Sequence, residues 1–347
     1  MNIEIKDQIL VRGRFLLLYV VFGSIAILIE FSFRHLFLKL NLDDNYATLI
    51  GIFMGILFAY WSNIKFNFQI PNHRLKKVFY LFLLISISSK VMQQELFDTF
   101  YFENLNYESK RLISSAIVFI IIYLINLKIT FRSNTKIGIA IYANNEEDIG
   151  SIYKKIGQKP DFIQVDIVDK TISKNLGPYN LDVIREIKKY WPEKFIELHI
   201  MSLHPQNIIN ELGNLFEELD LFLIHEDCEA VFESIRDRIK NSNKKFGIFF
   251  RNTTDISKIK KYSYLCDQIT LMGIEQLGVS GQKFIEKTYE VIDQVEKFEN
   301  RSKFLLEIDG GVNSSNYFNL KVDKLVSASA ILTANNPLMK ISEFKRM

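Results

Sequence analysis

The sequence is short of the residues that build disulfide-stapled scaffolds. It holds 2 cysteines, Cys228 and Cys266, in 347 residues, so neither a disulfide framework nor a paired-cysteine metal site is available. That usage fits a reducing compartment. An excess of either charge is lacking too, since 43 Lys and Arg against 40 Asp and Glu leave a net charge of +3. With no basic patch interleaved with aromatics, nucleic acid is excluded as a partner. No GxGxxG follows the first strand-like run of the C-terminal half, which argues against a dinucleotide fold. The run KNSNKK, Lys240 to Lys245, reads as a solvated loop.

Apolar side chains are in excess: 48% of residues, with 29 Phe, is high for a soluble chain. The excess lies before about residue 131. Four runs there qualify as membrane spans: Phe15 to Phe33, Ala47 to Ile64, Val78 to Met92 and Leu112 to Ile129, the third being short and interrupted by serines. Because several such runs follow the first, it reads as a span and not as a cleaved signal peptide. Lys6, Arg12 and Arg14 precede the first run, and Lys65, Arg74, Lys76 and Lys77 follow the second. Glu95, Asp98, Glu103 and Glu108 follow the third. By the positive-inside rule, both ends of an all-α four-helix unit then face the cytoplasm. The expectation is a multi-pass protein of the inner membrane with its N-terminus and C-terminal domain in the cytoplasm.

Residues 1–131 thus read as a transmembrane domain, 132–136 as a short linker that keeps the rest near the bilayer, and 137–347 as a globular domain. Strand-like runs recur at Ile137 to Tyr142, Phe162 to Asp166, Phe195 to Ile200, Leu221 to His225, Phe246 to Phe250, Gln268 to Met272, Phe304 to Ile308 and Lys324 to Ser327. Amphipathic patterns such as Leu181 to Tyr190 and Gln282 to Phe298 lie between them. Eight strands alternating with helices predict an α/β TIM (β/α)8 barrel, with a doubly wound open sheet as the competitor. Three of the runs end in polar groups: Asp166, His199, and Asp309 followed by Gly310 and Gly311. In a barrel these converge on the C-terminal rim, and the glycine pair lets backbone N–H groups approach an anion closely.

Two segments resemble known families. RGRFLLLYVVFGSIAILIEFSF and IGIFMGILFAYWSNIKFNF, residues 12–33 and 50–68, are similar to the small four-span GtrA-like proteins. That resemblance implies a partner in polyprenyl-phosphate-linked sugars. It also implies a headgroup site at Trp61, Asn63, Lys65 and Asn67, which read equally as an interfacial anchor. In the C-terminal half, QVDIVDKTISKNLGP, ELHIMSLHPQNII, LIHEDCEAV, LMGIEQLGVSGQKFIEKT, EIDGGVN and VSASAIL resemble ribulose-phosphate 3-epimerase, in that family's order and spacing.

The second resemblance implies an isomerase that inverts a carbon beside a ketone. Asp166 and Asp309 would be the catalytic acid and base, and a divalent cation of Zn, Fe, Mn or Co type would be held by His199, Asp166 and Asp309. Gln164 stands where the family has a second histidine, and a carboxamide is the poorer ligand. Gly278, Gly281, Gly310, Gly311, Ala328 and Ser329 would cradle a phosphate. Met201, His225 and Met272 would line the substrate pocket, with Val168 in place of a third methionine. The loop EQLGVSG departs from the family by losing a proline and a glycine.

Together the resemblances imply a membrane-tethered ketose-phosphate epimerase in cell-surface polysaccharide synthesis, acting on a phosphorylated sugar and open to homo-oligomerisation. One alternative is a catalytically silent sugar-phosphate-binding barrel that regulates a GtrA-like flippase. Another makes the membrane unit the main actor and the barrel an accessory.

Overall fold

Runs rich in Ile, Val, Leu and Phe pair side by side in chain order and close on themselves, every neighbouring pair parallel. The strands are β1 (Lys136–Tyr142), β2 (Phe162–Val168), β3 (Phe195–Met201), β4 (Leu221–His225), β5 (Lys245–Phe250), β6 (Gln268–Met272), β7 (Leu305–Asp309) and β8 (Lys324–Val326). This computed structural model describes residues 3–68, 70, 74–99, 107–131, 135–144, 147–173, 177–278 and 281–345. Closure of β1 onto β8 through Ile137 and Leu325 rules out the open sheet. Every residue of β2, β4 and β6 is buried, as expected where helices cover the outer face and side chains fill the inner one.

The outer helices are α5 (Ile149–Ile156), α6 (Asp182–Tyr190), α7 (Pro205–Glu211), α8 (Phe232–Asn241), α9 (Ile256–Tyr262), α10 (Lys287–Val295), α11 (Ser329–Leu332) and α12 (Pro337–Phe344). Caps fix where several begin: Asp148 accepts from Ser151 N, Asp255 from Ser257 N, and Asn336 from Met339 N ahead of Pro337, each satisfying an orphan N–H of a first turn. The helix expected from Gln282 starts only at Lys287, because Ile285 N is bonded to Gly273 O and holds the preceding segment against the rim.

A fourfold device sets the opposite, N-terminal rim. The residue before each even strand is an aspartate, and its carboxylate accepts the N–H near the start of the preceding odd strand: Asp161 from Ile137, Asp220 from Ile196, Asp267 from Phe246 and Asp323 from Leu306, at 2.7–2.9 Å. Within the barrel, the layer below the C-terminal rim is polar. Lys324 is paired with Glu197 and with Glu307, and its ammonium lies 3.9 Å from the Phe162 ring centroid. Gln268 bonds Lys324 and both glutamates, and Thr270 donates to Glu307. Burial pushes the Glu307 carboxyl up and the Lys324 ammonium down, and the pairing of Lys324 with both glutamates, with the Gln268 and Thr270 hydrogen bonds, offsets the cost of placing charge there.

The chain divides into two compact units, Met1–Ser133 and Asn134–Met347. The first is helical: α1 (Ile3–Lys39), α2 (Asp44–Ser62), α3 (Leu75–Thr99) and α4 (Tyr107–Ile125). Among the described residues, Gly13–Lys39 and Asp44–Asn67 are long and apolar enough to cross a membrane, and Ala116–Thr130 is a shorter apolar helix. The weak third run lies in α3, which does not reach that standard. Glu95 and Asp98, read above as loop, are in α3, and Glu108 is in α4; Glu103 lies outside the described residues. Helices α1 and α2 pack closely because a Cβ at Gly51 or Gly55 would meet Glu30 O at 2.5 Å or Ala26 O at 2.8 Å, the small-residue contact typical of apolar helix pairs. Leu17, Leu28 and Phe31 stay exposed.

Both α2 and α4 end in a π-helical turn, Asn63–Asn67 and Asn126–Thr130. The two turns repeat one pattern: Asn-Ile-Lys-Phe-Asn-Phe at 63–68 and Asn-Leu-Lys-Ile-Thr-Phe at 126–131. Phe68 and Phe131 stack with ring centroids 4.3 Å apart, so the repeated ends meet.

Candidate active site

Strand register brings the polar groups together. Asp166 on β2 pairs with His199 on β3, and Met272 on β6 pairs with Asp309, the last residue of β7. Asp166, His199 and Asp309 each present a ligand atom, all within 4.8 Å of one another. His199 Nδ1 lies 3.3 Å from Asp166 Oδ1 and 3.7 Å from Asp309 Oδ2. These three residues line a cavity together with Met201, Met272, Gly278, Gly281, Gly310, Gly311, Ala328 and Ser329.

The cavity's glycine wall has a steric cause. Gly310 and Gly311 adopt φ of 91° and 70°, and a Cβ on them would meet the Ile274 side chain at 2.7 Å or the Phe284 backbone at 2.9 Å. Only glycine turns the chain here without strain, leaving main chain exposed at the cavity. Gly278 and Gly281 also have positive φ, and α11 begins at Ser329 on the same wall.

Gln164, two residues before Asp166 and fully buried, lies beneath the acids. Its Nε2 donates to Asp166 Oδ1 and to Asp309 Oδ2, both at 2.8 Å. Carboxylates only accept, so the amide turns its NH2 towards both and leaves Oε1 without a partner. The bridge joins β2 to β7 across the barrel. Burial first, and then the Asp166 charge, push the Asp309 carboxyl up to about 7, while His199 and the Gln164 hydrogen bond act against this. Asp309 therefore keeps its proton up to near neutral pH.

The same atoms test the fit of a divalent cation. Neither ring nitrogen of His199 has a hydrogen-bond partner although both are buried, and a buried unpartnered imidazole beside two carboxylates is the donor chemistry of a catalytic metal site with three protein ligands. The donor set fits. Asp166, His199 and Asp309 are the residues that would hold such an ion, with Gln164 Oε1 the remaining oxygen donor nearby.

His225, expected in the substrate pocket, is not among the residues that line the cavity. Its register partner on β5 is Phe249, which does line the cavity and packs against both imidazoles, with ring centroids 4.2 Å from His199 and 5.8 Å from His225. His225 instead faces Asp227 at 3.2 Å. Burial and the Arg251 charge push it down to about 3, so it stays neutral. Phe249 is the main residue that sequence reasoning missed, since nothing in the run FGIFF sets that ring apart. Tyr142 also lines the cavity, and burial together with Asp166 and Asp309 raises its phenol, which remains protonated. Val168 is buried on β2 and is not among the lining residues.

In the first unit, the four expected headgroup residues divide. Asn63 and Asn67 are buried, Asn67 Nδ2 donating to Asn63 Oδ1 and to Phe15 O. Trp61 is exposed, with the Lys65 ammonium 5.1 Å from its ring centroid.

A closed parallel barrel with two acids and an imidazole at its C-terminal rim, beside a glycine wall, defines a (β/α)8 barrel with a candidate site on the face where such barrels carry their chemistry. Comparison with known proteins narrows this. The family model for the ribulose-phosphate 3-epimerase family matches residues 136–332, and the chain belongs to that family. A second model, for the GtrA/DPMS transmembrane domain, matches residues 18–131. The ribulose-phosphate 3-epimerase of Buchnera aphidicola subsp. Baizongia pistaciae is 28% identical over 222 residues, covering 62% of this chain and 94% of that protein. That of Helicobacter pylori strain J99 is 29% identical over 188 residues, covering 52% and 83%. Among solved structures, 3-hexulose-6-phosphate synthase from Salmonella typhimurium superposes with a TM-score of 0.47 at 17% identity, over 61% of this chain and 97% of that one.

Proposed function

We propose that the barrel is a ketose-phosphate 3-epimerase-like isomerase, tethered to the cytoplasmic face of the inner membrane by the N-terminal unit. The observation that carries this is the convergence of Asp166 and Asp309, from strands far apart in sequence, on one cavity walled by glycine main chain. One carboxylate takes the C3 proton of the bound ketose phosphate from one face. The electron pair left behind forms the C2–C3 double bond of an enediolate, and the other carboxyl returns a proton to the opposite face. Asp309, raised to about 7, serves as either acid or base near neutrality, and Asp166 takes the complementary part. The glycine wall orients the phosphate, while Met201, Met272 and Phe249 exclude water from the enediolate. A divalent cation of Zn, Fe, Mn or Co type, when bound, supplies electrostatic stabilisation of the developing oxyanion.

The N-terminal unit, in this reading, handles a polyprenyl-phosphate-linked sugar, and the fusion places both activities in cell-surface polysaccharide synthesis. A second reading, a barrel that binds sugar phosphate without turnover, is favoured by one observation: the Gln164 amide already bridges both acids. Exchange of the C3 hydrogen of ribulose 5-phosphate and related ketose phosphates with deuterated water decides between them. Turnover predicts exchange that falls roughly 10²–10⁴-fold in Asp309→Asn. Binding of the sugar phosphates with no exchange in the unaltered protein would leave the binding reading.

A further inference from the structure

We propose that Tyr142 is a third catalytic residue of the barrel, its phenol donating a hydrogen bond to the enediolate oxygen that gains charge as Asp166 and Asp309 move the proton. The assignment rests on the isomerase reading given above. Strand register places the residue. Tyr142 closes β1 and pairs with Asp166 on β2, and two residues earlier Ala140 pairs with Gln164. Side chains alternate along a strand, and register partners on neighbouring strands share a face. Ala140 and Tyr142 accordingly both line the cavity, while Ile141 between them is fully buried and does not. The phenol therefore enters the cavity beside Asp166, two residues nearer the rim than the Gln164 amide.

The hydroxyl is uncommitted. Among the described residues it has no hydrogen-bond partner, whereas the Tyr60 and Tyr179 hydroxyls donate to Leu75 O and to Glu211 Oε2. The other side-chain donors around the acids are engaged. The Gln164 amide donates to both carboxylates, and His199 Nδ1 faces Asp166 at 3.3 Å and Asp309 at 3.7 Å. Ser327 Oγ donates to Val312 O, and Ser329 stands at the start of α11 on the glycine wall, the side given to the phosphate. Tyr142 is thus the side-chain donor left for the substrate on the acid side of the cavity.

The reaction calls for a donor of this kind. When one carboxylate takes the C3 proton, the electron pair forms the C2–C3 double bond and the C2 carbonyl oxygen takes up the negative charge. When the other carboxyl returns a proton to C3, the carbonyl reforms and the charge leaves that oxygen. The phenol keeps its own proton throughout and only its hydrogen bond strengthens, so no further reactant is involved. Burial first, and then the Asp166 and Asp309 charges, raise the Tyr142 phenol, so it stays able to donate wherever the acids work. Carboxylates this close also disfavour a new negative charge on the substrate. A fixed O–H dipole aimed at that charge in a site closed to water offsets the effect.

The test is Tyr142→Phe in the full-length protein in phosphatidylcholine nanodiscs, a change that keeps the ring and removes one oxygen without a partner in the protein. Exchange of the C3 hydrogen of ribulose 5-phosphate and related ketose phosphates is expected to fall about 10²–10³-fold in kcat, with KM within about threefold, as for a contact made only in the transition state. A phosphorylated hydroxamate, whose ionised form mimics an enediolate, should lose affinity for chelator-treated protein by about the same factor, while the ketose phosphate binds as before. Exchange in Tyr142→Phe within about threefold of the unaltered protein, with the loss still seen in Asp309→Asn, overturns the role of Tyr142 and leaves the isomerase reading standing. A rise in KM with kcat unchanged makes the phenol a ground-state contact and overturns its part in stabilising the enediolate. No exchange by the unaltered protein with any of these ketose phosphates overturns the isomerase reading, and this inference with it.

Discussion

Gln164 is one side chain on which the chemistry of the barrel turns. Its amide NH2 holds Asp166 and Asp309 in one geometry at 2.8 Å from each, the space in which a cation would also have to be coordinated. An amide at this position serves a cation less well than an imidazole would, on two counts: the carbonyl oxygen is the poorer ligand, and the NH2 must first be turned away from two carboxylates. Gln164→His is therefore expected to tighten Zn or Mn binding by roughly 10–100-fold, read by titration against a competing chelator. An unchanged affinity would show that the amide does not limit the site. Asp309 gives a second test. Its folded-state value of about 7 lies above the ordinary 3.8, so between those values the folded chain keeps a proton that the unfolded chain gives up. Stability conferred by that proton is fully present below about pH 4, is lost as pH rises towards 7, and changes no further above it, with a slope of at most about 1.4 kcal/mol per pH unit. In metal-free protein, denaturant unfolding followed by the buried Trp191, on a Trp61→Phe background, should show this fall. Asp309→Asn should flatten it, and an identical slope in the variant would place the proton elsewhere.

Strands and their ends carried most of what was legible before the structure. The apolar runs of β2, β4 and β6 are continuous because both faces are covered, and a polar residue closing such a run, as Asp309 closes β7, reads directly as a rim position. Other features were hidden for physical reasons. Phe249 reaches the cavity only because closure sets β5 beside β4 in a given register, which an isolated strand does not reveal. Glu197 and Glu307 look like breaks in apolar runs, yet each is buried against Lys324, distant in sequence. The aspartates before the even strands were legible in principle, since they recur once per strand pair. Each caps an N–H that would otherwise be orphaned at the rim opposite the active site. Asp220→Ala should thus destabilise the barrel by about 1–3 kcal/mol, the cost of leaving a buried donor unmatched, with catalysis unaffected in the folded fraction. A loss of activity larger than the loss of folded protein would show that this rim communicates with the chemistry.

At the scale of the whole chain, the division at Ser133 and Asn134 separates two units whose stabilities have different sources. All eight strands and, among the described residues, those lining the active-site cavity fall within Asn134–Met347. The first unit leaves Leu17, Leu28 and Phe31 exposed on α1 and buries Gly51 and Gly55 against it, an arrangement stable where lipid covers the outside. A protein beginning at Asn134 is therefore expected to leave the membrane fraction, fold cooperatively, and retain the C3-hydrogen exchange rate per folded molecule of the full chain within about twofold, because distant and independent parts contribute additively. Sedimentation and exchange on the same preparation measure both halves of that expectation. If the soluble fragment is folded and binds ketose phosphate but exchanges far more slowly than the full chain, the membrane unit is contributing to the chemistry. If both are equal in the test tube while removal of residues 1–133 alters surface glycan in the cell, the unit acts in the cell by a route separate from the barrel's chemistry.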